Sequence, residues 1–174
     1  RAADAGYLSG EAQFEAQLGA DDRGLKLHDA RLRWADLSAT GTLDLPLEGA
    51  EAGQMSLTFA RVDLDAILAR AAAISERRRR PTTPAQAFIL PAFLAGGFEL
   101  KADALVWRGG VIRQARLLGA VEAGRLSLKQ GRAVLPGGAD FALTGALSAR
   151  AGLPVFEGQL EANSDNMRGL LDWA

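Results

Sequence analysis

Residues that could carry out acid–base, nucleophilic or metal chemistry are few and scattered in this chain. His28 is the only histidine, and the sequence contains no cysteine. One imidazole without thiolates cannot build a His- or Cys-based metal site, and a lone histidine in a hairpin is more typical of a surface residue than of a catalytic base. The sequence therefore predicts no metal site and no cofactor.

Carboxylates and serines give no catalytic pattern either. Paired carboxylates occur at Asp21-Asp22 and at Asp63 with Asp65, but the first pair lies in a predicted turn and the second is explained by capping of a helix. None of the serines lies in a Gly-x-Ser-x-Gly elbow, and Gly137-Gly138 lacks the Lys-Ser/Thr of a phosphate-binding loop. We therefore predict that the protein is not an enzyme.

The densest charge cluster is the run Arg77, Arg78, Arg79 and Arg80. Cations at the C-terminus of a helix oppose its macrodipole, so one interpretation is a solvated helix end. The other is a contact with anionic lipid, because an apolar stretch that ends at Leu94 follows the arginines. The four arginines are thus candidate contacts for anionic lipid.

Composition and length indicate one domain with an ordinary core. The 174 residues are 48% hydrophobic and 24% charged, and their formal net charge of −1 gives no field that would recruit nucleic acid. No apolar run approaches the roughly 18 residues of a membrane-spanning helix. We expect residues 1–174 to form a single β-rich domain that is a fragment of a longer chain.

Most of the sequence alternates between apolar and polar residues, which predicts strands with one apolar face. About ten such segments are separated by turn signals, and short turns imply antiparallel neighbours. A phase change near Ala35-Asp36 predicts a bulge or kink within a strand. We predict a mainly β fold: an antiparallel repetitive sheet, open and groove-like or folded as a sandwich, with two or three short peripheral helices. Residues 63–95 are a predicted helical, Pro-containing insertion between strands.

A strand that passes directly into a helix occurs twice in the sequence. The first copy contains Leu57 and a helix from about Leu64, and the second contains Leu160 and a helix from about Met167, with Ser164-Asp165 as its predicted cap. An offset of 103 residues superimposes the two copies through strand and helix. A repeated unit of this kind favours an extended, repetitive sheet over a pocketed enzyme.

An open sheet must bury its apolar face against helices, a second sheet or an apolar guest. Because the predicted helices are few, one hypothesis is a groove that shelters acyl chains. The alternative is a structural scaffold or protein-binding module with a closed sheet-on-sheet core and no lipid. The candidate lipid-binding residues are Leu57, Phe59, Leu100, Leu117, Leu126, Leu128, Phe141, Leu143, Phe156 and Leu160.

Five motifs carry a family resemblance: Gly-Gly-Phe-Glu-Leu-Lys-Ala-Asp-Ala-Leu from Gly96, Gly-Arg-Leu-Ser-Leu at 124–128, Leu-Pro-Gly-Gly at 135–138, Leu-Thr-Gly-Ala-Leu at 143–147, and Phe-Glu-Gly-Gln-Leu-Glu-Ala-Asn-Ser-Asp-Asn-Met-Arg-Gly-Leu-Leu-Asp-Trp from Phe156 to Trp173. With the sequence around them, from about Leu57 to Trp173, they resemble the AsmA family of bacterial envelope proteins, especially its alphaproteobacterial members. The motifs are strand signatures and include no catalytic residue.

The resemblance implies a periplasmic repeating sheet, related to TamB-like and bridge-type lipid-transfer proteins. It implies a tether to the inner membrane by an N-terminal helix, which would lie outside this chain. It also implies a role in outer-membrane biogenesis and lipid transport within the cell envelope. The partners it implies are phospholipid or a membrane surface and other envelope proteins.

Overall fold

The computed structural model describes residues 12–34, 37–47, 52–77, 95–122, 125–150 and 153–173. Its strands form one nine-stranded sheet in which spatial order follows chain order. The fold is mainly β and the sheet is open, as the groove-like version of the prediction required. The elements are β1 (Ala12–Ala20), β2 (Gly24–Trp34), β3 (Leu37–Pro46), β4 (Gly53–Asp63), α1 (Leu64–Arg77), β5 (Gly96–Trp107), β6 (Gly110–Glu122), β7 (Arg125–Leu135), β8 (Ala139–Arg150), β9 (Leu153–Asn163) and α2 (Met167–Trp173).

Neighbouring strands pair antiparallel, except that β4 and β5 are parallel. A parallel pair requires a connection that returns the chain to the end of the sheet where the first strand began. Here α1 forms the first part of that connection, and residues 78–94 lie outside the described residues. The predicted insertion therefore lies between β4 and β5, which form the only parallel pair among the described strands.

Tight turns join two of the hairpins. In the β1–β2 turn the Asp21 carboxylate accepts hydrogen bonds from the backbone N–H groups of Arg23 (3.0 Å) and Gly24 (2.9 Å). In the β5–β6 turn Arg108 and Gly109 both have positive φ angles, of 51° and 71°. Two successive positive φ angles are those of a type I′ turn, whose twist matches that of a hairpin.

The predicted bulge near Ala35-Asp36 is wrong. Trp34 at the end of β2 pairs with Leu37 at the start of β3, so the phase change in the sequence marks a reversal of the chain. Residues 35 and 36 themselves lie outside the described residues. The irregularity of β2 occurs earlier, between Leu27 and Ala30, where Asp29 has a φ angle of 49°.

Each helix begins with a side-chain cap. Asp63 accepts a hydrogen bond from the backbone N–H of Ala66 (2.8 Å), as predicted for α1. For α2 the predicted cap, Ser164-Asp165, is wrong: Asn166 accepts from the N–H of Gly169 (3.0 Å). The Ser164 hydroxyl instead accepts from the N–H of Asn166 (3.1 Å), which fixes the turn before the cap.

Both helices meet the sheet at the β5–β6 turn. The Asp65 carboxylate of α1 accepts hydrogen bonds from the N–H groups of Arg108 (2.8 Å) and Gly109 (2.9 Å). From α2, the Trp173 indole N–H donates to the carbonyl of Trp107 (3.0 Å), and the two rings meet edge to face at 5.6 Å. Both helices are therefore hydrogen-bonded to the same end of the sheet.

The strands form a single layer with little interior. Among the described elements, extensive contacts are confined to neighbouring strands, with a smaller contact between α1 and β5. Among the described residues no large side chain is fully buried, and the buried apolar residues are Ala39, Ala102, Ile112, Val121, Leu128 and Ala139. No second sheet packs on the first within the described residues. The alternative of a closed sheet-on-sheet core therefore has no counterpart there.

Candidate functional site

The strand register aligns apolar residues in rows across the sheet. One row begins with the paired residues Leu57 on β4, Leu100 on β5 and Leu117 on β6. It continues through Gly131 and Leu143 to Leu160 on β9. Directly paired residues point to the same side of a sheet, so this row defines what we call the apolar face.

All the predicted lipid-binding residues lie on the apolar face. Phe59 and Phe141 are two positions from Leu57 and Leu143 on their own strands and therefore point the same way. Leu126 pairs with Leu147, which pairs with Phe156, and Leu128 pairs with Gly145. The strand register thus places these side chains on one surface of the sheet.

The apolar face is only partly covered by the described residues. Leu160 is 65% exposed, Phe156 is 47% exposed, and Leu117, in the middle of the sheet, is 39% exposed. Near β2 and β3, Trp34 and Leu37 line one cavity together with Ile67 of α1. The helix therefore adjoins one end of the face, and leucine side chains remain available for contact elsewhere.

Aromatic rings lie against glycines on this face. A Cβ placed on Gly119 would be 2.6 Å from the ring of Phe98, and one placed on Gly158 would be 2.8 Å from the ring of Phe156. Real Cβ atoms do not approach so closely, so these rings occupy space that only glycine leaves free. The glycines therefore let the phenylalanine rings pack directly against the backbone of the sheet.

Further residues share the apolar face but were absent from the predicted set. Leu43 pairs with Met55, which pairs with Phe98, and this second row runs beside the first. The alternation of β3, β4 and β5 already contained the signal, because each of these residues is two positions from another apolar one. The predicted set omitted them because it named at most two apolar residues from any strand.

The opposite face carries charged and polar residues. An ion pair between neighbouring strands joins Lys26 of β2 to Asp44 of β3 (3.7 Å), and one within β5 joins Lys101 to Glu99 (3.2 Å). Arg116 on the neighbouring strand also pairs with Glu99. The hydrogen bond from Lys101, together with the adjacent Arg116 guanidinium, lowers the pKa of Glu99. We call this side the polar face.

Among the described residues, the remaining sequence candidates do not form a site. Arg77 is the last residue of α1, and Arg78, Arg79 and Arg80 lie outside the described residues. His28 is exposed and lies at the irregular segment of β2. Within the described part of the chain, no three residues of the types His, Cys, Asp and Glu lie close enough together to hold a metal ion.

Neither helix is long and apolar enough to cross a membrane, as judged over the described ranges. No protein-family model, no curated protein and no solved structure matches this chain.

Proposed function

We propose that this protein is a non-enzymatic domain of envelope biogenesis whose apolar face holds phospholipid acyl chains and passes them between membranes. The observation that carries the proposal is the row from Leu57 to Leu160, with side chains that the described residues leave partly exposed. Large exposed apolar surfaces on soluble domains mark binding sites for apolar partners.

Partition would supply the driving force. Acyl chains gain about 25 cal/mol for each Å² of apolar area removed from water, and the attraction has no preferred direction. A bound chain could therefore slide along the leucine rows without breaking directional bonds. The polar face, with its ion pairs between Lys26 and Asp44 and around Glu99, would remain in water.

The dimensions suit this role. Nine strands at about 4.8 Å spacing make the apolar face roughly 38 Å wide. An acyl chain spans about half of the roughly 30 Å hydrocarbon core of a bilayer, or about 15 Å. The face is therefore wide enough to hold at least one acyl chain along a row.

The cellular setting belongs to the same proposal. The resemblance of residues 57–173 to the AsmA family supports a periplasmic location and a tether to the inner membrane by a segment outside this chain. In this setting Arg77 and the three arginines after it would contact anionic headgroups, while other envelope proteins would present or receive the lipid.

Native mass spectrometry of the purified chain tests the proposal. We expect the purified chain to carry bound phospholipid. Organic extraction should release this lipid, and added lipid of the same class should replace it. The same chain should move a pyrene-labelled phosphatidylcholine from donor to acceptor vesicles faster than buffer does. A chain that carries no lipid, binds none when it is added and does not accelerate transfer would refute the proposed function.

A further inference from the structure

The edge strand β9 has no neighbouring strand on its outer side among the described residues. An edge strand presents a row of unpaired backbone N–H and C=O groups, which is a template for another strand. We propose that the outer edge of β9 accepts an extended polypeptide segment that adds to the sheet parallel to β9. This site is independent of the proposed lipid function.

The internal repeat relates β9 and α2 to β4 and α1, and so shows which strand lies at the equivalent edge of β4. Helix α1 begins at Leu64 and α2 at Met167, which is the 103-residue offset of the sequence repeat. Their caps also coincide at this offset, because Asp63 and Asn166 each accept the N–H of the residue three positions later. Strand β9 is therefore the structural counterpart of β4.

The edge of β4 that corresponds to the outer edge of β9 is occupied by a parallel strand. Leu57 pairs with Leu100 of β5, and Phe59 pairs with Ala102. Leu160 and Ala162 occupy these two positions in β9. By this correspondence, the added strand would place a residue equivalent to Leu100 opposite Leu160, just as Leu100 lies opposite Leu57.

The ends of the two strands differ in a way that this proposal explains. The last three residues of β4, numbers 61–63, pair with β5, whereas the pairing of β4 with β3 extends only to Phe59. Their counterparts, residues 164–166, do not continue β9 and have no strand neighbour within the described part of the chain. Loss of strand structure at these three positions is expected if the partner that corresponds to β5 is missing.

The sequence of β5 and the charges of β9 define the chemistry of the occupant. In β5, Leu100 lies on the apolar face, and Glu99 and Lys101 lie on the polar face. In the equivalent register Lys101 would lie opposite Glu161, a favourable cross-strand pair. The occupant is therefore an extended segment with alternate apolar residues and a basic residue opposite Glu161.

A synthetic peptide with the β5 sequence, residues 96–107, is the natural probe. We expect it to bind the intact chain, whereas a peptide of the same composition with its alternation scrambled should bind at least roughly tenfold more weakly. N-methylation of every second amide of the peptide gives a sharper control, because successive N–H groups in a strand face opposite edges and each alternate set faces one edge. Methylation of one alternate set should weaken binding by roughly tenfold or more, and methylation of the other should change it little.

Disulfide trapping measures the direction and register of the added strand, since the chain has no cysteine of its own. A peptide carrying Glu99→Cys should cross-link to Gln159→Cys in the parallel register. An antiparallel strand centred on Leu160 would instead cross-link to Glu161→Cys. Absence of peptide binding, preferential cross-linking to Glu161→Cys, or equal effects of the two methylated sets would each overturn the proposal. Dimerisation of the chain through β9, detected by sedimentation equilibrium, would also overturn it.

Discussion

Replacing Leu160 by glutamate should weaken the binding of an acyl chain much more than it destabilises the folded protein. Full burial of a leucine side chain contributes about 1.5–3 kcal/mol. Because Leu160 is 65% exposed, about two thirds of that, or roughly 1–2 kcal/mol, remains to be gained from a bound acyl chain. This corresponds to roughly 5- to 30-fold in affinity, and a carboxylate facing the hydrocarbon adds to the loss. The folded state should lose only about 0.5–1 kcal/mol, since little of the side chain is buried in the protein.

Fluorescence titration with a pyrene-labelled phosphatidylcholine measures the affinity, and urea unfolding measures the stability. We expect Leu160→Glu to weaken lipid binding at least roughly tenfold. Gln159→Glu introduces the same charge at the adjacent residue on the polar face and should leave binding within about twofold. Equal losses in both variants, or unchanged binding in Leu160→Glu, would refute the assignment of the apolar face as the lipid site.

Three further predictions concern the helices: their contacts with the sheet and the cap of α2. Trp173→Phe removes the indole hydrogen bond to Trp107 and should cost about 0.5–1.5 kcal/mol in urea unfolding, with faster hydrogen exchange in α2; unchanged exchange would contradict the contact. Asn166→Ala should cost about 1 kcal/mol through loss of the α2 cap, whereas Asn166→Asp, which keeps the acceptor, should cost less. The N–H groups of Gly109 and Arg108 lower the pKa of Asp65, so its contribution to stability is complete above the unfolded pKa of about 3.9 and is lost as the pH falls through the lower folded value. Asp65→Asn should therefore destabilise the protein at pH 7, with the difference from the wild type shrinking as the pH is lowered below about 4; a difference independent of pH would show that the charge of Asp65 is not involved.

The alternation of the sequence was sufficient to predict the strands and their faces. Each strand pattern, such as that of β5 around Leu100, reports which residues share a side of the sheet. Because the pairing from β4 to β9 places the residues of the row from Leu57 to Leu160 opposite one another, these local patterns combine into one continuous surface. Local sequence therefore predicted the composition of the apolar face.

The features that the sequence did not predict depend on interactions between distant segments. The hydrogen bond from Trp173 to Trp107 joins residues 66 positions apart, and no local pattern encodes it. The cap of α2 was misplaced because Ser164, Asp165 and Asn166 are all good capping residues, and only the geometry of the helix start selects among them. Whether the sheet was open or folded on itself also required the strand order.

Photo-cross-linking with a phosphatidylcholine that carries a diazirine near the end of one acyl chain tests the central claim most directly. Peptide mapping after illumination should place the label on residues of the apolar face, in the row that includes Leu100, Leu117 and Leu143. Competition with unlabelled phospholipid should remove the label. Labels confined to the polar face, or labelling that unlabelled phospholipid does not reduce, would contradict the account.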